Sequence, residues 1–176
     1  SGLLDLNLHN LTLASTAYLQ NETESSRVTG INGGEVSITL PMDAPAASNP
    51  GNLGAIITSA SSMGAVTIRR GHRSQSATGL PGSIQRYFDI SPTNNAALGA
   101  TFRYRYFDAE LNGQLENSLR MFKSTDAGIN WSNQNFSNRN ATDNYVEIGV
   151  NSFSRWTASS FGAPLADLTA SQLFTT

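Results

Sequence analysis

The sequence predicts an all-β protein, an antiparallel β-sandwich of the immunoglobulin-like or jelly-roll-like kind with little or no helix. Three observations carry this. Short stretches of alternating apolar and polar residues recur at intervals of about 8–15 residues, which is the spacing of sandwich strands. Turn-forming clusters such as Asn32-Gly33-Gly34, Ser91-Pro92-Thr93-Asn94-Asn95 and Asn112-Gly113 separate them. No stretch repeats apolar residues at helical spacing. Of the 176 residues, 39% are hydrophobic and only 14% charged, with Gly, Ser, Thr, Asn and Ala filling most of the remainder. A chain of this length buries roughly 70% of its unfolded surface.

Taken in order, Leu4–Leu8 and Leu11–Leu13 alternate and read as two short strands around His9-Asn10. Their spacing also suits one rung of a β-solenoid, although no second copy stands out at a fixed period. Ala17–Gln20 reads as a short strand and Arg27–Ile31 as another. In Glu35–Leu40, Val36, Ile38 and Leu40 share the buried face, and Pro41 is expected to end the strand. Asp43–Gly54 reads as a loop, Gly54–Thr58 as a short apolar strand, and Ala65–Arg69 as a strand with Val66 and Ile68 inward. Arg70–Pro81 is polar, and Ser83–Ile90 is a strand with aromatic content.

The most specific stretch is 102–131, read as three strands and two turns. Phe102, Tyr104 and Tyr106 fall on one face of a strand and Arg103 and Arg105 on the other. A loop over Ala109–Asn117 follows, and Ser118–Lys123 runs back as the neighbouring strand of a meander. Ser132–Asn144 is expected to be a long exposed loop. Tyr145–Val150 alternates, and Arg155–Ala158 is the last strand. The count is ten to twelve strands. Residues 1–160 form one sandwich, with 1–30 as an N-terminal extension or solenoid-like rung and 161–176 as a tail or linker. Within that tail, Leu165–Phe174 reads as a helical turn, a strand or a linker to another domain.

Charge and composition narrow the function classes. A net charge of −2 lacks the basic face that nucleic acid requires. No run of about 18 apolar residues is present to cross a membrane as a helix. The absence of Cys excludes disulfides and thiolate metal sites. No cofactor motif is found. His9 and His72 are the only histidines. His9 reads as a turn residue, and His72, in Gly71-His72-Arg73, as a structural or solvent-facing one, since a catalytic His needs an orienting partner.

Ser124, Asp126, Gly128 and Trp131 resemble the Asp-box, Ser-x-Asp-x-Gly-x-x-Trp, a β-hairpin motif of sialidases and many secreted β proteins; Asn130 stands where a Thr is usual. Such a turn needs a carboxylate to hold its own amides, a Gly for positive φ and an aromatic to pack beneath. The motif implies a structural role rather than an activity. A wider resemblance rests on Glu24–Gly30, Asn52–Thr58, Arg70-Gly71-His72, Arg86–Asn95, Tyr106–Gly113 and Ser152–Thr157, in that order. Over roughly residues 3–160 the chain is similar to a domain of large secreted and surface proteins of Bacteroidetes-type bacteria, cargo of type IX secretion. The resemblance implies export, a modular parent with neighbouring domains, and a non-catalytic part in adhesion, scaffolding or spacing. It carries over no catalytic residue.

Two other functions compete. A carbohydrate-binding module would stack sugars on exposed aromatics, with Tyr18, Tyr87, Trp131, Tyr145 and Trp156 as candidates. A glycoside hydrolase would use paired carboxylates; Asp108 and Glu110 would share a strand face, and their spacing permits either stereochemical outcome. A cation held by oxygen alone would draw on Asp89, Asp108, Glu110 and Asp126. A Lys–Asn cross-link could use only Lys123. The expected partners are a polysaccharide or another surface protein, and the expected location is extracellular or cell-surface.

Overall fold

The computed structural model describes residues 2–161. Ser1 and residues 162–176, all but the first residue of the expected tail or linker and with Leu165–Phe174 included, lie outside them. Among the described residues, thirteen strands make two facing sheets and a small third one. They are β1 (Leu3–Asp5), β2 (Leu11–Leu13), β3 (Arg27–Thr29), β4 (Glu35–Met42), β5 (Ala55–Thr58), β6 (Gly64–Gly71) and β7 (Tyr87–Pro92). There follow β8 (Ala100–Arg105), β9 (Arg120–Ser124), β10 (Ser132–Asn135), β11 (Asn138–Asn140), β12 (Tyr145–Val150) and β13 (Arg155–Ser159). The seven-stranded sheet has the order β10-β9-β13-β7-β6-β4-β2, the four-stranded sheet β11-β12-β8-β5, and β1 pairs with β3. The described helix consists of three single 3-10 turns, at Pro50–Asn52, Asp108–Glu110 and Glu116–Ser118.

Alternation decides which faces meet. Phe88 of β7 and Trp156 of β13 point inward from the larger sheet; Phe102 and Tyr104 of β8 point inward from the smaller one. All four are buried. Their rings meet edge to face, with Phe88–Tyr104 centroids 5.1 Å apart and Phe102–Trp156 5.9 Å apart, the geometry that aromatic quadrupoles favour. Val36, Ile38, Val66, Ile68, Ile90, Val146 and Ile148 extend this core along the sheets.

Five expectations about elements are corrected. First, β8 and β9 do not form a meander: β8 pairs with β12 and β5, and β9 with β13 and β10. The intervening segment crosses from one sheet to the other. Second, Ser132–Asn144 is not one loop but contains β10 and β11, whose side chains are so polar that the alternation signal is lost. Third, β4 continues through Pro41, opposite Ala65, to Met42; β2 reaches only to Ile38, so Pro41 has a paired neighbour on one side alone. Fourth, Ala17–Gln20 is not a strand, and β7 begins at Tyr87 rather than Ser83. Fifth, the pairing is not wholly antiparallel, since β1 with β3 and β2 with β4 run parallel.

Candidate functional site

A cluster of ionisable groups lies where the ends of β6 and β7 meet the loops after β2 and β8. In β6 the inward row is Val66, Ile68, Arg70; in the segment entering β7 it is Arg86, Phe88, Ile90. Each row of apolar residues thus ends in an arginine that is carried into the interior. Arg70 is 1% exposed and Arg86 2%. A buried guanidinium needs a carboxylate and further acceptors, and each finds them.

Arg70 makes a two-pronged contact with Glu22, Nη1 to Oε2 and Nη2 to Oε1, both 2.8 Å. Glu22 Oε1 also accepts the Val28 amide at 2.9 Å. Arg86 Nη2 donates to Glu110 Oε1 at 2.8 Å and its Nη1 to the Arg105 carbonyl at 3.0 Å. Glu110 Oε2 accepts the Phe107 amide at 3.0 Å. The guanidinium of Arg86 stands 5.1 Å from the centroid of the Phe107 ring. Glu22, Arg70, Arg86, Tyr106 and Phe107 line a cavity of about 160 Å³ between these pairs.

Burial is the largest influence on Glu22, Arg70, His72 and Glu110. It pushes Glu110 up, but the Arg86 charge and the hydrogen bonds around the carboxylate bring it down to about 2. Glu22 is likewise pushed up by burial and pulled lower overall by Arg70 and the Val28 amide. His72 is 3% exposed, and its Nδ1 is 4.0 Å from Glu110 Oε1, beyond hydrogen-bond reach. Neither ring nitrogen has a partner. Burial first, then the charges of Arg70 and Arg86, push it down to about 4, so it is neutral at pH 7. Of the two roles expected for His72, structural or solvent-facing, burial leaves the structural one. His9 is exposed in the turn between β1 and β2.

The carboxylates offered as a catalytic pair are not brought together as one. Asp108 and Glu110 sit on a 3-10 turn, not on a strand, so they do not share a strand face. Asp108 is exposed and accepts from Asn144 Nδ2 at 2.9 Å, while Glu110 is buried against Arg86. Asp89 is joined to Arg155, and Asp126 lies in the turn between β9 and β10. Among the described residues no three His, Asp or Glu side chains cluster to hold a metal ion.

Ser124, Asp126, Gly128 and Trp131 occupy a single turn. Ser124 Oγ donates to Asp126 Oδ1 at 2.8 Å and accepts the Gly128 amide at 2.8 Å. Asp126 Oδ1 accepts the Asn130 amide at 2.9 Å and Oδ2 its side-chain amide at 2.7 Å. Gly128 has φ +96°, and Trp131 Nε1 donates to its carbonyl at 3.1 Å. The indole packs on Leu80 and Phe122. The hydrogen bonds from Asn130 and Ser124 pull Asp126 down to about 2 without help from burial.

Of the five aromatics proposed to be exposed, three are not: Tyr87 is 4% exposed, Trp131 6% and Trp156 1%. Only Trp156 faces the core between the sheets. Tyr87 lies on the face of β7 opposite Phe88, its ring against Gly71, and Trp131 is covered by Leu80 and Phe122. Tyr18 is 59% exposed. Tyr145 is half-buried with Arg103 4.2 Å from its ring centroid, so one face is taken. Lys123 Nζ donates to the Ser152 carbonyl and hydroxyl, each at 2.9 Å.

No protein-family model, curated protein or solved structure matches the chain.

Proposed function

We propose that the chain is a non-catalytic β-sandwich module of a secreted or cell-surface bacterial protein, working in adhesion, scaffolding or spacing. One observation carries this reading. The acidic groups with chemical potential are spent on bracing. Glu22 ties the loop after β2 to β6, and Glu110 ties the turn after β8 to the entry of β7. Glu24 accepts the amides of Asp108 and Ala109, both at 2.9 Å, so the same two loops are also tied to each other. Loops fixed in this way suit a module that transmits position rather than one that closes on a substrate. The resemblance of its motif order to that of exported bacterial surface proteins supports the setting.

The reading is tested by a glycan and polysaccharide binding screen with calcium and with chelator, run beside hydrolase assays. The expected outcome is no saturable glycan signal, no turnover and a melting temperature indifferent to calcium. Saturable binding lost in Tyr18→Ala or Tyr145→Ala would replace the reading with a carbohydrate-binding module. Reproducible turnover would replace it with an enzyme.

A further inference from the structure

Residues 3–38 form two coils stacked in parallel. Leu3, Leu4 and Asp5 lie opposite Arg27, Val28 and Thr29; Leu11, Thr12 and Leu13 lie opposite Val36, Ser37 and Ile38. Each residue of the first coil therefore sits over one 24 or 25 positions further along. The corners are also in register. Leu6 and Leu8 donate their amides to the carbonyls of Thr29 and Gly33 at 2.9 and 3.2 Å, and Asn10 Oδ1 accepts the Glu35 amide at 3.0 Å. Gly34, with φ +98°, lets the corners approach: a Cβ there would stand 2.4 Å from the His9 carbonyl oxygen.

The outer edge of the first coil has no partner among the described residues, and it differs from the other open edges. β10 is Ser-Asn-Gln-Asn with a register shift between Asn133 and Asn135. β11 is Asn-Arg-Asn. β5 is covered by Ser48, which exchanges two backbone hydrogen bonds with Ile57 at 2.8 and 2.9 Å. Polar residues, bulges and covering segments are the usual ways to stop an edge from pairing. The β1–β2 edge has no bulge and no covering segment among the described residues, and only Asp5 and Thr12 are polar in its strands. Leu3, Leu4 and Leu8 are 56%, 57% and 71% exposed, and Asp5 is the one charge in either strand. Beside this edge, Leu4, Leu19, Val28 and Arg27 line an open groove of about 180 Å³.

We propose that this edge seats one more parallel coil of the same kind, leading into Leu3, so that the sandwich caps a β-solenoid. The occupant is strand, corner, strand, with apolar residues placed over Leu4, Leu11 and Leu13. Continuity with the existing stack carries the proposal. The coil of β1 and β2 already seats on β3 and β4 in this manner, and its own upper surface repeats the pattern by which it is held. Stacked coils gain stability from each new neighbour.

The test places a second copy of residues 3–26 directly before Leu3. A control carries the same extension with its four leucines corresponding to Leu4, Leu6, Leu11 and Leu13 changed to Asn. Melting temperature, amide exchange in β1 and β2, and mass in solution are read for both and for the parent chain. The expected result is a rise of about 3 °C or more and at least about tenfold slower exchange in β1 and β2 for the leucine extension alone. An extension that matches its control, or that lowers the melting temperature, overturns the proposal. So does a parent chain already protected there, whether by a dimer that dissociates on dilution or by residues 162–176, shown by loss of protection when the chain ends at Phe161.

Discussion

Glu110 and Asp126 are both pulled down to about 2, by opposite routes. Glu110 is buried, and burial raises it; only a full positive charge, Arg86, with several hydrogen bonds overcomes that. Asp126 meets little desolvation, and the hydrogen bonds of its own turn suffice. The first arrangement joins residues 24 positions apart in the chain and the second residues at most four apart. Identical acidity therefore hides very different structural stakes. Glu110 is held by the tertiary fold and holds it in return, whereas Asp126 organises a turn.

The largest expected effect follows from breaking the buried pair on one side. Glu110→Ala leaves the Arg86 charge buried without its partner, and such losses cost about 3–5 kcal/mol. In a domain of this size that lowers the melting temperature by roughly 10 °C. Replacing both partners, Arg86→Met with Glu110→Leu, removes the stranded charge and should recover most of the loss. A double variant no more stable than Glu110→Ala would mean that the carboxylate acts through its backbone neighbours and not through Arg86.

Acid should next resolve two stages within the buried region. His72, ordinarily near 6.5, is held neutral to about 4 in the folded chain. The unfolded chain binds that proton more readily, so stability falls as pH drops from 6.5 toward 4, by on the order of 3 kcal/mol. Glu110 contributes in the other window: its stabilisation is complete above its ordinary 4.5 and is lost as pH falls toward 2. Glu22, lowered by Arg70, adds to this second stage. Urea unfolding from pH 7 to 3 should show His72→Leu flattening the slope above pH 4.5 and leaving the lower stage in place. An unchanged upper slope would place His72 outside the titration.

A third carboxylate tie rests on close approach rather than charge. Tyr87 donates its hydroxyl to Glu35 Oε1 at 2.8 Å, and its ring lies where Gly71 leaves room. A Cβ on Gly71 would fall 2.1 Å from Tyr87 Cε1 and Cζ. The ring is fixed by Glu35 and by Arg155, 4.7 Å from its centroid, so it cannot swing aside freely. Gly71→Ala should cost about 1–3 kcal/mol. Adding Tyr87→Ala should make the alanine tolerable, and a double variant showing strictly additive losses would sink the steric account.

These regions also differ in how well the sequence announces them. The turn from Ser124 to Trp131 was legible because every contact within it is local, so residue spacing alone specifies it. The strands of the core were legible for the same reason: alternation is a property of neighbours. The brace was not, because Glu22 and Arg70 lie 48 positions apart, and nothing near Glu22 reveals its partner. A signal did exist. Arg70 continues the inward phase of Val66 and Ile68, and Arg86 begins that of Phe88 and Ile90. An arginine in phase with a buried row must find a carboxylate, and that demand could have been read. The polar strands β10 and β11 gave no such demand, because they bury too little to alternate. Nor did Tyr87 and Trp156 reveal their burial, since an aromatic in a strand suits either face.

The smallest effect is expected at Asp126. Its acceptor role can be kept in part by Asn, so Asp126→Asn should leave the global melting temperature nearly unchanged, while Asp126→Ala lowers it by less than Glu110→Ala. The loss should be local. The amide of Asn130 donates to Asp126 Oδ1, and that of Gly128 to Ser124 Oγ. Exchange at Asn130 should quicken first in Asp126→Ala, with Gly128 following as the Ser124 hydroxyl loses its own acceptor. Amides of β6 and β7 should keep their protection. If those strands loosened as much as the turn, the hairpin would be a brace of the same rank as Glu110. Trp131 packed on Leu80 and Phe122, beneath a Gly79 whose Cβ would stand 2.1 Å from the Trp131 carbonyl oxygen, would then be the route by which the turn reaches the core.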